Sequence, residues 1–448
     1  MMHSPEHIEE KIASGGYVLI LNTGATIDPE AQAMLAALHS RSIGGIKSHL
    51  EVLAEKGADN FMSKFYVGYG HKSIGDLGSV SVFIEGVSML TAKAFQDSRL
   101  YNGQEASTRY IDFATQPFIN PLGNKAGEEI QEDLRTFYLR GIKELPAHLM
   151  EKYPKQGEEK ESIYEKAILA RAFDIMRAFL PAGAATNLAW HGPLRLFGDR
   201  LQVLRHHPLT EVRETADALE KALLRAHPNS FTDKRYEKTE EYLEQSSTLT
   251  YFNPETCSPL EITRNTFDIK FLTEHAELLK NRPEKTELPK AFDEAGELQF
   301  TYLLDFGSFR DIQRHRAVVQ RMPLLTTRFG FESWYLSEMP DSLRIDAEKF
   351  ISKHAEAVAA LDAPDEIKQY YTAMGFFTAN RLTGTLPGLT YLVELRSGST
   401  VHPTLRLLAQ RMGEKMKEAL HDTLCALHVD MNEARFDTKR GAHDILVK

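Results

Sequence analysis

The densest run of chemistry-bearing side chains in the chain is Arg314-His315-Arg316, which follows an apolar stretch. Two guanidinium groups flanking an imidazole can grip a phosphate or the polar edge of a heteroaromatic ring, because arginine offers a planar fork of donors. Taken alone, the triplet reads more simply as a solvated basic turn. A second candidate is the loop Asn102-Gly103-Gln104-Glu105-Ala106-Ser107-Thr108-Arg109-Tyr110. It mixes a flexible glycine, a carboxylate, two hydroxyls and a guanidinium, a set that offers donors and an acceptor to a nucleotide. By itself it also reads as a polar surface loop. Gly70-His71-Lys72-Ser73 is a weaker signal, since a structural histidine beside a glycine is common. Arg177, Arg195, Arg205 and Arg396 sit in apolar surroundings, where a guanidinium must find an anion or other acceptors. Ion pairing with nearby Asp or Glu explains any one of them as well as a ligand does.

Several elements are available to position these residues. Tyr17-Val18-Leu19-Ile20-Leu21, Ser79 to Ile84 and Phe300 to Leu304 read as strands. Ile130, Leu134, Phe137, Tyr138, Ile142 and Leu145 share one helical face, and the helix is expected to end by Pro146. Lys155 to Lys160 reads as a loop between helices. Two segments look like copies. Leu204-Arg205-His206-His207-Pro208 precedes Leu209, Val212, Ala216, Leu219 and Leu223. Leu395-Arg396 and His402-Pro403 precede Leu405, Leu408, Met412, Met416, Ala419 and Leu420. Spacings of three and four put each set on one helical face, with proline suited to the first turn. Mixed helix and sheet is the expected class.

With 448 residues, the chain is long enough for two domains. Residues 1–228 and 259–448 are expected as the domains, joined by a polar connection over 229–258 that is rich in turn formers. The composition, 42% hydrophobic and 26% charged, is that of an ordinary globular protein. No apolar run approaches the ~20 residues that span a bilayer, and the N-terminus lacks the basic-then-apolar pattern of a secretory signal. Cys257 and Cys425 are the only cysteines, so neither a disulfide framework nor a cysteine-rich metal site is expected, and a cytoplasmic location is. A net charge of −10 argues against wrapping nucleic acid but not against a small anionic ligand.

Taken in order, these residues resemble the flavin-dependent thymidylate synthases. The matching run in the first half is Gly70-His71-Lys72-Ser73, Phe83 to Ser88, Asp97-Ser98-Arg99, Glu105-Ala106-Ser107-Thr108-Arg109-Tyr110, Arg177 to Pro181, Thr186, Trp190, Arg195 and Leu204-Arg205. It covers most of residues 15–225. The second half is a weaker copy: it keeps Arg314-His315-Arg316, then Thr326, Arg328 and Phe329 if two residues are inserted, then Leu395-Arg396 and His402. Leu324 replaces the loop carboxylate. The departures are complementary. The first half has Asp97 and Ser98 where the family has Arg and His, and the second half has lost the nucleotide loop.

The resemblance implies an α+β protein of two tandem copies of that fold. It implies reductive methylation of dUMP to dTMP, with methylenetetrahydrofolate as carbon donor and NADPH-reduced FAD as hydride source. A related flavoenzyme on another pyrimidine and a silent binding scaffold remain open. By carry-over, Arg109 and Arg177 hold the nucleotide phosphate, Arg205 polarises the uracil edge, and Ser107 and Glu105 lie near the base. Ser73, Arg195, Arg314, His315 and Arg316 contact FAD, with His71 close by. Arg205 and Ser107 are the catalytic candidates, and no metal is implied. Because the family is a homotetramer, a two-copy chain is expected to form a homodimer. The stretch from Asp97 to Arg205 is longer than that from Arg314 to Arg396, so the first copy is expected to carry extra helix or loop between Pro121 and Ile163.

Overall fold

The computed structural model describes residues 7–21, 28–39, 45–59, 62–64, 72–157, 159–421 and 424–432. The chain divides into two compact units. One is Met1–Ala106 with Ala184–Thr250, the other Ser107–Gly183 with Tyr251–Lys448. The expected boundaries at 228/229 and 258/259 are therefore not where the contacts divide the chain. Residues 107–183 group with the second half because their helices pack there: the Phe137 ring stacks on Phe350 with centroids 4.7 Å apart. The expected linker contains a helix, Glu237–Ser247, that buries none of its residues.

The first unit holds a five-stranded antiparallel sheet of order β1-β2-β3-β5-β4, where β1 is His7–Lys11, β2 Tyr17–Leu21, β3 Ser79–Ser88, β4 Gly103–Glu105 and β5 Ala185–Pro193. Alternation dictates its faces, since Val80, Val82 and Ile84 point into the core while their neighbours remain half exposed. Helix Thr210–Ala226 covers β1 and β2, burying Val212, Ala216, Leu219 and Leu223. Each such valine or leucine contributes roughly 1.5–3 kcal/mol of transfer free energy.

The second unit holds a four-stranded antiparallel sheet of order β6-β7-β9-β8, with β6 Leu260–Asn265, β7 Glu297–Asp305, β8 Val318–Arg321 and β9 Phe377–Thr385. Helix Pro403–Ala419 packs on β6 and β7 through Leu405, Leu408, Met412 and Met416. Helix Lys125–Lys152 runs on past Pro146, where the sequence led us to expect its end. A mid-helix proline costs about 3 kcal/mol; burial of Leu145 and Leu149 on either side offsets it. Helix Glu161–Met176 follows, and the counterparts later in the chain are shorter, Asp341–Ala359 and Asp365–Lys368. Among the described residues, no helix is long and apolar enough to cross a membrane.

The two sheets carry the same element sequence. A long strand ending in a helix cap (Ser88, Asp305) feeds helix Met89–Gln96 or Phe306–Ile312. Later come a 3-10 turn (Arg177–Phe179, Gln369–Tyr371), the strand β5 or β9, an eleven-residue helix (Leu194–Leu204, Leu386–Arg396) and a seventeen-residue helix. Strand register agrees, Ser88 facing Ala185 and Asp305 facing Phe377. Within the second unit the corresponding positions Pro181 and Ala373 pair with each other antiparallel. The Gly183 amide donates to Tyr370 O at 2.9 Å, and that of Gly375 to Ala178 O at 2.8 Å. Both glycines are required there: a Cβ on Gly183 would lie 2.6 Å from Tyr370 O, and one on Gly375 2.8 Å from the Ala178 Cβ.

Candidate functional site

In the second unit a polar cluster is assembled from widely separated parts of the chain. The Thr108–Tyr110 turn is capped by Ser107, whose Oγ accepts from the Arg109 amide at 3.4 Å. This aims the Arg109 guanidinium at Asp174 on helix Glu161–Met176, to which it donates from Nε and Nη2 at 2.6–2.9 Å. One turn on, Arg177 is buried. Its Nη2 donates to Ser308 Oγ at 2.9 Å, its Nη1 lies 3.8 Å from Asp311 Oδ2, and its Nε is buried with no hydrogen-bond partner. Gly307 lies against both Arg177 and Asp305: a Cβ there would stand 3.1 Å from Asp305 Oδ1 and 3.4 Å from that Nε. Behind lies a buried relay. Asp305 accepts from the Ser308 amide, Tyr335 OH and Thr404 Oγ1, and His402 Nδ1 lies 2.9 Å from Thr404 Oγ1.

Electrostatics follow from this packing. Burial pushes the Asp174 carboxyl up, but the Arg109 guanidinium beside it outweighs this and holds it well below the usual carboxylate range. Burial works against the Arg177 cation, and Tyr335, Asp311, Asp174 and Asp305 more than restore it. Burial raises Asp305, and burial, aided by Arg177, keeps His402 neutral. Ser308 is 3.4 Å from His402 Nδ1, yet it is fully buried and its hydroxyl is shared with Arg177 and Thr404, so it is no open nucleophile.

Asp311 connects this cluster to the basic triplet. Its backbone carbonyl accepts from Arg396 Nη2 at 2.7 Å, and Arg396 Nε donates to His315 Nε2, also at 2.7 Å. His315 is therefore the neutral Nδ1–H tautomer; burial and then Arg396 bring it down to about 3. The triplet is split: His315 turns inward beside the Tyr391 ring, while Arg314 and Arg316 are exposed.

The other sequence-predicted residues belong to the first unit. Glu105 is buried and accepts from Gln96 Nε2 at 2.8 Å. Ser73 is exposed; Arg195 is half exposed and pairs with Asp76 and Asp199. Arg205 is gripped by Glu240 and Glu220 at 2.7–3.3 Å, and Glu240 also meets His206 at 2.8 Å. Hydrogen bonding from Arg205 brings Glu240 down to about 2. Asp97 pairs with Lys93 at 3.0 Å. His71 lies outside the described residues.

The paired Leu-Arg segments are not equivalent. The matching eleven-residue helices end at Leu204 and at Arg396, so Arg396 stands where the first unit has Leu204. Burial agrees, for Leu204 is 1% exposed and Leu395 48%. Pro403 opens its helix as expected, whereas Pro208 precedes one that begins at Thr210. By contrast, the two-residue insertion fits: Arg328 N donates to Thr326 Oγ1 at 3.4 Å, as Arg109 N does to Ser107 Oγ. Arg328 then binds Asn253 and the Pro254 carbonyl instead of a carboxylate. Sequence reasoning missed Asp174, Ser308 and Asp305. They are single polar residues far apart in the chain, and only the cap position of Asp305 carried any local signal.

Architecture and site define an α+β protein with two like sheet-and-helix frames and an arginine–carboxylate cluster in the second unit. Residues 23–229 match the family described as thymidylate synthase complementing protein. A UPF0159 protein of Chlamydia muridarum is 27% identical, covering 82% of this chain and 80% of its own. One from Thermoplasma acidophilum is 25% identical, covering 83% and 89%. Among solved structures, a UMP/dUMP methylase PolB from Streptomyces cacaoi, bound with 5-Br dUMP, matches 49% of this chain and 94% of its own at 16% identity and a TM-score of 0.31.

Proposed function

We propose that this protein is a flavin-dependent dUMP methylase of two tandem copies that divide one site between them. The observation that carries this reading is the second unit's cluster. There Arg109 and Arg177 from the first half of the chain share Asp311 as a charge partner, and Asp311 leads to His315 and Arg396 of the second half. Arg109 and Arg177 would bind the nucleotide phosphate, with Ser107 beside them. The uracil-facing cation is assigned to Arg396 rather than Arg205. Arg396 is held by His315, whereas the Arg205 guanidinium is already held by two carboxylates. A cation near the uracil edge favours its ionised form.

The residues present suit a dinucleotide cofactor in part. Exposed Arg314 and Arg316 are cations fit for its phosphates, and His315 orients Arg396 from within. By the family resemblance alone, Ser73, Arg195 and His71 are proposed as further cofactor contacts and Glu105 as a contact of the base. Bound FAD, reduced by NADPH, would supply hydride chemistry, with methylenetetrahydrofolate bringing the carbon. No thiol nucleophile is at hand, since burial pushes Cys257 and Cys425 each up to about 11. One observation favours the related reading, a flavoenzyme for another pyrimidine: carboxylates already accompany both phosphate arginines. A flavin absorption spectrum of the purified protein, followed by rescue of a thymidine-requiring cell, tests the assignment. A colourless protein that fails to rescue would overturn it and favour a scaffold. The assembly proposed is a homodimer, four copies in all, which light scattering checks.

A further inference from the structure

Asp311 stands in an unusual position for a ligand site built to hold an anion. Its carboxylate lies 3.8 Å from Arg177 Nη1, and it acts electrostatically on Arg109 and Arg396 as well. The other acidic neighbours are built in. Asp174 is only 5% exposed and grips Arg109 with both oxygens, and Asp305 is wholly buried and accepts from three donors. Asp311 differs from both. Its side chain is 36% exposed, and its contact with Arg177 is the longest ion pair in the cluster. The bond that fixes its place comes from its backbone carbonyl, to which Arg396 donates. The carboxylate is thus free to leave without unfolding its helix. Arg177 meanwhile keeps one buried N–H without a partner, so its donors are not used up.

We propose that Asp311 is a specificity-determining residue, a resident anion that an incoming phosphate must displace from Arg177. This rests on the reading that Arg109 and Arg177 face the phosphate of a nucleotide. Two negative groups cannot share one guanidinium face without repulsion. Asp311 therefore lowers affinity for phosphate-bearing nucleotides while leaving nucleosides unaffected, and so narrows the difference between the two ligand classes.

The test is calorimetric titration of dUMP, deoxyuridine and inorganic phosphate into the parent protein, Asp311→Asn and Asp311→Ala, with thermal unfolding of each. Asparagine keeps the size and removes the charge. Both variants are expected to keep the parent's melting temperature and to bind dUMP at least about tenfold more tightly, with deoxyuridine unchanged. Equal dUMP affinity in all three proteins, weaker binding in the variants, or an equal gain for deoxyuridine would overturn the inference. Absence of dUMP binding in the parent and both variants would instead overturn the phosphate-site reading beneath it. Asp174→Asn supplies a contrast: its carboxylate positions Arg109, so its loss is expected to weaken dUMP binding.

Discussion

The two units set nearly the same frame to different ends. In the first, the cap Ser88 is held by a carboxylate from the long helix, Glu211, through its amide at 2.7 Å and its hydroxyl at 2.6 Å. In the second the roles are exchanged: the cap is the carboxylate Asp305, and the long helix supplies the hydroxyl, Thr404. The joint is kept in both, but its negative charge has moved from helix to strand end. Where the second unit has Arg314 and His315, the first has Asp97 and Ser98, with Asp97 paired to Lys93. Where the second directs Arg396 at His315, the first has Leu204, and the neighbouring Arg205 is taken by Glu240. The difference teaches that a shared fold fixes where charge can be placed, and that only local partners decide whether it stays available to a ligand.

The sharpest way to break this comparison is at Arg177, whose counterpart in the other 3-10 turn is Gln369, a neutral and fully buried side chain that accepts from the Leu325 amide. Arg177→Ala leaves buried carboxylate without its cation and is expected to cost about 3–5 kcal/mol in denaturant unfolding. Gln369→Ala is expected to cost only about 1–3 kcal/mol, the desolvation of one buried amide. Equal losses would mean that the Arg177 charge is not part of the buried balance.

Next come the exchanged cap joints. Glu211→Ala removes a charged acceptor from two donors of Ser88 and is expected to cost about 1.5–3 kcal/mol, against about 0.5–1.5 kcal/mol for Thr404→Val. The same unfolding curves report both. A larger loss at Thr404 would show that the charge does not weigh as its place suggests.

A smaller effect depends on pH. His315 in the fold titrates at about 3, below the ordinary value of 6.5, because burial disfavours its charged form. The unfolded chain takes up that proton first, so the stability it contributes is complete above 6.5 and is lost as pH falls from there towards 3. The expected slope is at most ~1.4 kcal/mol per pH unit. His315→Gln should flatten stability against pH between 6 and 4, and an unchanged slope would contradict the buried neutral tautomer. His207 in the first unit, also brought down to about 3 by burial, should behave alike. Smallest is Glu240→Ala. Its helix buries nothing, and the loss is expected to stay within about 1 kcal/mol.

Much of the frame was legible in the chain itself. A short apolar run marked Tyr17–Leu21, strand-like stretches marked the cores of β3 and β7, and spacings of three and four marked both long helices. The basic triplet and the Ser107 loop stood out by residue type. Pro146 misled because buried leucines on either side outweigh its local cost. The grouping of residues 107–183 with the second half was not legible, since nothing in a linear pattern reports which helices stack. The Leu-Arg repeat was read one residue out of register, because the two dipeptides look alike while their leucines differ in burial.

Arg396 and Arg205 compete for one role, and titration of dUMP into Arg396→Ala and Arg205→Ala, with flavin content measured on each, sets them against each other. At least a tenfold loss of dUMP affinity is expected in Arg396→Ala, with near-parent affinity in Arg205→Ala. Loss in Arg205→Ala with Arg396→Ala unchanged would contradict the assignment to Arg396.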